Sequence, residues 1–180
     1  MSERTRRVVE FGDFQTPPEL AAGVCRLVAR RRIRPRSVIE PTCGIGNFLR
    51  AVEHTFSDAG EILGFEINSE HARTAAGRTA RARIRQADFF QTDWPAVLDE
   101  LPEPVLVVGN PPWVTNAELG VLGSENLPTK DNPHRLTGLD ALTGKSNFDI
   151  SEWMLIRLLE SIAGREAALA MLVKTAVARK

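Results

Sequence analysis

The chain has little cysteine, no excess of charge of either sign and no long apolar run. Each shortage removes a class of protein. Cys25 and Cys43 are the two cysteines among 180 residues. Two thiols do not build a disulfide framework, and no Cys-x-x-Cys pair suggests zinc. The three histidines, His54, His71 and His134, lie far apart and have no metal-ligand spacing. A metal-free, cytoplasmic protein is therefore expected. Basic and acidic side chains number 23 each, so the formal net charge is zero. A domain that grips nucleic acid unaided is usually more basic. The stretch from Met1 to Arg7 is polar, so no secretion leader is expected there. No apolar run approaches bilayer length, and no membrane association is expected. Internal repeats and low-complexity tracts are missing as well.

What remains is an ordinary globular composition, 43% apolar and 26% charged. A length of 180 residues suits one domain with a substantial core, spanning 1–180. Pro17-Pro18-Glu19 opens a helical pattern, with Thr16 as the candidate N-cap. Ser37-Val38-Ile39-Glu40 reads as a short buried strand, followed by a Gly-containing loop and a helix from about Asn47 to Phe56. Glu61 to Glu66 is the second strand, and Ser69 is placed to cap the helix after it. Arg83 to Gln86 is the third strand, Pro95 to Leu101 a short helix, and Val105 to Val108 the fourth strand. Residues 114–147 show no periodicity, and a loop of that length is usually functional or mobile. An apolar helix around Ile150 to Leu159 and a fifth strand within Ala168 to Val173 close the pattern. Strands alternating with helices imply βαβ units and a mainly parallel, doubly wound α/β sheet.

In such sheets, ligands bind at the carboxyl ends of the strands. Glu40, Glu66, Asp88 and Asn110 all fall at or just after predicted strand ends. The segment Glu40-Pro41-Thr42-Cys43-Gly44-Ile45-Gly46-Asn47-Phe48 puts glycines between a strand and a helix, where backbone N–H groups can approach a carboxylate. Glu40 suits a cationic amine. By itself, a Gly-x-Gly turn is also just a tight strand–helix connection. Glu66 ends the next strand, where a carboxylate can accept both ribose hydroxyls of a nucleoside, or merely face solvent. Asp88-Phe89 offers an acceptor for an adenine amino group and a ring face. Asn110-Pro111-Pro112-Trp113 follows the apolar run Val105 to Gly109. That rigid turn holds an amide, a carbonyl oxygen and an aromatic face in a small space, which suits a planar, amino-bearing substrate. Two arginine-rich stretches, one at Arg30 to Arg36 and one from Arg73 through Arg78 and Arg81 to Arg85, read as solvated surface.

In order and spacing, these elements resemble the S-adenosylmethionine-dependent N6-adenine DNA methyltransferases whose Thr-Pro-Pro element comes first. The resemblance covers residues 11–175. It implies a Rossmann-like sheet of the class I methyltransferase type, with S-adenosylmethionine as cofactor. It implies cofactor contacts from Thr16, Glu40, Gly44, Gly46, Glu66, Asp88 and Phe89. Asn110, Pro111 and Trp113 become the catalytic residues, acting on an adenine flipped out of DNA, with restriction–modification as a candidate setting. Methyl transfer to a protein glutamine or an RNA base nitrogen is an alternative, as is a non-catalytic cofactor-binding fragment. Trp113 stands where Tyr or Phe is more usual in the family. The family sheet has seven strands; five are read here. A truncated sheet is therefore expected, with target recognition supplied by a C-terminal domain or a specificity subunit, and the 180-residue chain alone is expected to be inactive on DNA.

Overall fold

The computed structural model describes residues 15–113 and 150–179. The 114–147 loop expected from the sequence lies outside them. Two compact units divide the chain: Gln15–Pro111 with Ile156–Leu172, and Met1–Phe14 with Pro112–Leu155 and Val173–Lys180.

The first unit carries the sheet. In chain order, the elements are α1 (Pro18–Arg30), β1 (Ser37–Glu40), α2 (Asn47–Thr55), β2 (Glu61–Glu66), α3 (Ser69–Arg78), β3 (Arg83–Gln86), α4 (Trp94–Asp99), β4 (Val105–Gly109), α5 (Ile150–Ile162), β5 (Ala167–Met171) and α6 (Thr175–Ala178). Strand order is β3-β2-β1-β4-β5, and every pairing is parallel. Val38 pairs with Ile62 on one side and with Leu106 on the other. The order reverses between β1 and β4. That is the switch point at which doubly wound sheets bind ligands. The expected Rossmann-like α/β fold is therefore the one adopted.

The central strands are buried on both faces, as parallel strands covered by helices must be. Val38, Ile62, Leu106 and Val108 share a cluster with Cys25 of α1 and Phe48 of α2. The alternate positions Ile39, Leu63, Phe65 and Val107 are buried too, at 1–2% exposure. Phe65 meets Trp94 edge-on, with ring centroids 5.0 Å apart. β3 is the polar outer strand, with Arg83, Arg85 and Gln86 exposed, a composition that discourages further pairing.

Several local signals differ from the sequence reading. Thr16 does not cap α1: the N-cap is Pro17, and no side chain bonds there. Asn68, not Ser69, caps α3, its Oδ1 accepting from the N–H groups of Glu70 and His71. Two neighbouring residues could each have capped, and the one outside the helix did so. Asp93 caps α4 through the Ala96 N–H. The short α6 has no counterpart in the sequence pattern.

In the second unit, Ile150, Ser151, Glu152, Met154 and Val177 are buried. Lys174 Nζ donates to the Trp113 carbonyl at 3.2 Å. Among the described residues, no helix is long and apolar enough to cross a membrane.

Candidate functional site

Because all five described strands run the same way, residues at their carboxyl ends share one edge of the sheet. Glu40 ends β1, Glu66 ends β2, Asp88 follows β3 by two residues, and Asn110 follows β4 directly. The sequence reading of a common edge is thereby met for all four.

The loop between β1 and α2 is the centre of that edge. Its N–H groups are held in fixed directions. Cys43 N donates to Phe65 O at 2.8 Å, which ties the loop to β2. Gly44 N donates to Glu66 Oε2 at 2.8 Å, and Ile45 N donates to Gln15 Oε1 at 3.0 Å. Gly44 and Gly46 have φ of +52° and +84°, a region that only glycine enters without penalty. At Gly44, a Cβ would also lie 2.5 Å from Gln15 Oε1. Ligand-contacting loops need this freedom, and a side chain would close the space.

Glu40 is the unusual acid. It is 2% exposed, and its Oε2 has no hydrogen-bond partner among the described residues. Burial pushes its carboxyl well above the ordinary range, and the nearby Glu66 carboxylate pushes it the same way. The N–H of Leu49 works against the rise without cancelling it. A carboxyl in this setting is short of a cationic partner. Thr42 Oγ1 is likewise buried and unpartnered among the described residues. Cys43 lies within the loop: burial first, then Glu40 and Glu66, push its thiol far above the ordinary value.

Glu66 accepts from two backbone N–H groups, Gly44 at Oε2 and Asn68 at Oε1, both at 2.8 Å. Each oxygen keeps a second lone pair for another donor. Asp88 Oδ1 accepts from the Phe90 N–H at 2.8 Å, which leaves Oδ2 available. Phe89 is 4% exposed and packs on Trp94 at 4.9 Å and Phe90 at 5.3 Å. Its ring belongs to the core, under the Asp88 turn.

At the end of β4, Asn110 Nδ2 donates to Thr16 Oγ1 at 3.1 Å. Asn110 Oδ1 is buried and has no partner among the described residues. Thr16, a cofactor contact in the sequence reading, is thus joined to Asn110, a catalytic residue in the same reading. Pro111 is buried and Trp113 is 42% exposed.

Three residues that matter to this geometry receive no role in the sequence reading, although Gln15 and Asn47 lie within segments that it draws on. Gln15 occupies the mouth of the Gly loop. Asn47 links that loop to Thr16, its Nδ2 donating to the Thr16 carbonyl at 2.8 Å. Arg78, grouped with solvated arginines, is half-buried, and it donates to Ile45 O and Asn47 Oδ1. The neighbouring Arg83 and Arg85 are exposed, as expected, and pair with Glu61 and Glu100. A polar residue directly after Gly-x-Gly is the available signal for Asn47; none points to Arg78.

No family model matches the chain. It is similar to the type II methyltransferase M.NspV of Nostoc sp. (strain ATCC 29411 / PCC 7524), at 46% identity over 183 residues. That alignment takes in 99% of this chain and 38% of the Nostoc protein, so the chain spans well under half of its relative. Identity at that level means a shared fold, and the sheet is of the class I methyltransferase type. Among solved structures, a modification subunit of a putative type I restriction enzyme from Vibrio vulnificus YJ016 aligns with a TM-score of 0.49. It is 17% identical, over 92% of this chain and 37% of that one. TrmN from Thermus thermophilus aligns with a TM-score of 0.43 and 20% identity, over 60% of this chain and 31% of that one.

Proposed function

We propose that this chain holds the cofactor site and catalytic turn of an S-adenosylmethionine-dependent methyltransferase acting on the N6 amino group of adenine in DNA. The reading rests on one observation above the rest. Three buried polar atoms at the carboxyl edge, Glu40 Oε2, Thr42 Oγ1 and Asn110 Oδ1, lack partners among the described residues. Buried polar atoms are ordinarily satisfied, so three at one edge call for ligands. Similarity to a type II methyltransferase supports the class of reaction and a place in restriction–modification.

The donor set fits the cofactor. Glu40 would accept from its ammonium group, and Gly44, Gly46 and Thr16 would line its methionine end. Glu66 would take the ribose hydroxyls through its second lone pairs. Asp88 would accept from the adenine amino group, with Phe89 backing the turn. When bound, S-adenosylmethionine supplies an electrophilic methyl group on a sulfonium centre.

Asn110 and Pro111 would act on the substrate. An exocyclic amino group is a poor nucleophile, because its lone pair is delocalised into the ring. Asn110 Oδ1 and the Pro111 carbonyl would accept its two N–H bonds and draw the nitrogen toward tetrahedral geometry. The lone pair is then localised, and the stabilisation grows toward the transition state. Pro111 and Pro112 hold the turn rigid, and Trp113 would stack on the substrate ring. A base within a duplex must be flipped to reach such a turn.

Methyl transfer from labelled S-adenosylmethionine to duplex DNA, RNA and protein tests the proposal, with digestion to nucleosides or amino acids. N6-methyladenine from DNA is expected once a further domain or a specificity subunit supplies target recognition, and little or none from the 180-residue chain alone. Label in an RNA base, a cytosine or a glutamine would reassign the substrate. Absence of any transfer even then, alongside tight S-adenosylhomocysteine binding, would leave a binding module and reject catalysis.

A further inference from the structure

Arg78, Asn47 and Thr16 connect the Gly loop to Asn110 through a continuous run of hydrogen bonds. Arg78, the last residue of α3, sends Nη1 to Ile45 O at 3.2 Å and Nη2 to Asn47 Oδ1 at 3.1 Å. Asn47, the first residue of α2, sends Nδ2 to Thr16 O at 2.8 Å. The Thr16 hydroxyl then takes Asn110 Nδ2 at 3.1 Å. Four chain segments meet here that are distant in sequence, by 94 residues in the case of Thr16 and Asn110.

The polarity of the part from Arg78 through Asn47 to the Thr16 carbonyl is determined at its ends. A guanidinium can only donate, and a peptide carbonyl can only accept. The Asn47 carboxamide therefore seats one way round, with Oδ1 toward Arg78 and Nδ2 toward Thr16. Thr16 needs that anchor. It lies ahead of α1, outside any regular element, and no side-chain cap holds the start of that helix. If the Thr16 main chain shifts, its hydroxyl shifts too, and Asn110 loses the acceptor that orients its amide. The Asn110 Oδ1, unpartnered among the described residues, would then turn away from its present direction.

We infer that Asn47 and Arg78 are positioning residues for the methyl transfer proposed above. Acting through the carbonyl and hydroxyl of Thr16, they hold the Asn110 oxygen toward the substrate nitrogen and tie its aim to the cofactor loop. This rests on the reading of Asn110 as the acceptor for the substrate amine.

A double-mutant cycle between Asn47→Ala and Thr16→Val tests it, with Arg78→Ala and Arg78→Lys as a second approach. Loss of one orienting hydrogen bond at the reacting group should lower kcat about tenfold in Asn47→Ala. The KM for S-adenosylmethionine should rise by less than kcat falls: the N–H groups of the loop are untouched, although Thr16 also lines the methionine end. The double variant should be no slower than the worse single one, because both cut the same run. Arg78→Lys should recover part of the activity lost in Arg78→Ala, as an ammonium replaces one of the two donated bonds. Multiplying losses in the cycle would overturn the inference, and so would a raised cofactor KM with unchanged kcat. The side-chain amide resonances of Asn110 give a readout that needs no turnover. Asn47→Ala should shift them in the ligand-free protein while thermal unfolding stays cooperative. Unmoved resonances would overturn the relay whatever the enzyme methylates. Shifted resonances in a protein that methylates nothing would uphold the relay and reject the catalytic reading instead.

Discussion

Replacing Glu40 with glutamine should stabilise the ligand-free protein at neutral pH and flatten its response to pH. Glu40 is 2% exposed, with one carboxylate oxygen unpartnered among the described residues. Burial, with the Glu66 charge behind it, holds the folded-state carboxyl well above its ordinary value. In the unfolded chain the same group titrates near pH 4.3. Between those two values the folded protein carries one proton more than the unfolded chain. Stability is therefore fully present below the unfolded value and is lost as pH rises toward the folded one. For a single proton, the loss runs to about 1.4 kcal/mol per pH unit across that window. A glutamine side chain keeps the shape and does not titrate. Urea denaturation of both proteins at half-unit steps from about pH 4.5 to 8 would expose the difference. Subtracting the curves cancels the groups common to both. The variant's advantage should grow with pH and then level off. Two parallel curves would refute the reasoning, because Glu40 would then be no more protonated in the fold than outside it. Ligand binding supplies the complementary half. A cationic amine on Glu40 requires the carboxylate, so S-adenosylhomocysteine affinity should rise with pH over the same window. Calorimetry in two buffers of different ionisation enthalpy should show up to one proton released per ligand in the wild type and none in Glu40→Gln.

Other outcomes follow from the same geometry. Asn110→Ala should lower methyl transfer by roughly 10²- to 10³-fold, the cost of one transition-state acceptor, with cofactor affinity kept within about threefold. Gly44→Ala puts a side chain at φ +52°, 2.5 Å from Gln15 Oε1. It should destabilise by about 1–2 kcal/mol, and Gln15→Ala should not restore it, because the backbone strain outlasts the clash. Glu53 accepts from the N–H groups of Ala80, Arg81 and Ala82. Burial alone would raise its carboxyl, but those groups and the Arg81 charge hold it below the ordinary range. Glu53→Gln should therefore cost at most about 1 kcal/mol at pH 7, since solvent screens so exposed a carboxylate, and the gap should close as pH falls through the lowered value. Burial pushes the Cys25 thiol up to about 12, and Cys43 higher still, so neither should react with a thiol reagent at about pH 8 until the protein unfolds.

Much of the fold was legible because buried parallel strands are nearly continuous apolar runs. β1, β2 and β3 have the bounds that the sequence pattern suggests, and β4 extends one residue further, to Gly109. Helix ends were less legible. Thr16 has the chemistry of a cap, yet Pro17 stands between it and α1, and its hydroxyl is engaged by Asn110. Arg78 belongs to a stretch rich in arginine, and one-dimensional charge cannot separate the member that turns inward from those that face water. Sequence offers Phe89 as a face for the adenine ring; only the fold shows that its ring also packs against Trp94.

By itself, the sequence determined that four polar residues lie at or just after the ends of strands. Glu40, Glu66, Asp88 and Asn110 each follow a run of β-type pattern, and that is a local property. The tertiary structure decided which of them meet. The order β3-β2-β1-β4-β5 makes the ends of β1 and β4 neighbours, although more than 60 residues separate Glu40 from Asn110. Only the assembled sheet leaves Glu40 Oε2 and Asn110 Oδ1 buried without partners among the described residues, and only there can Asn47 reach Thr16. Burial and long-range hydrogen bonds are properties of packed segments. No pattern within a single segment can specify them.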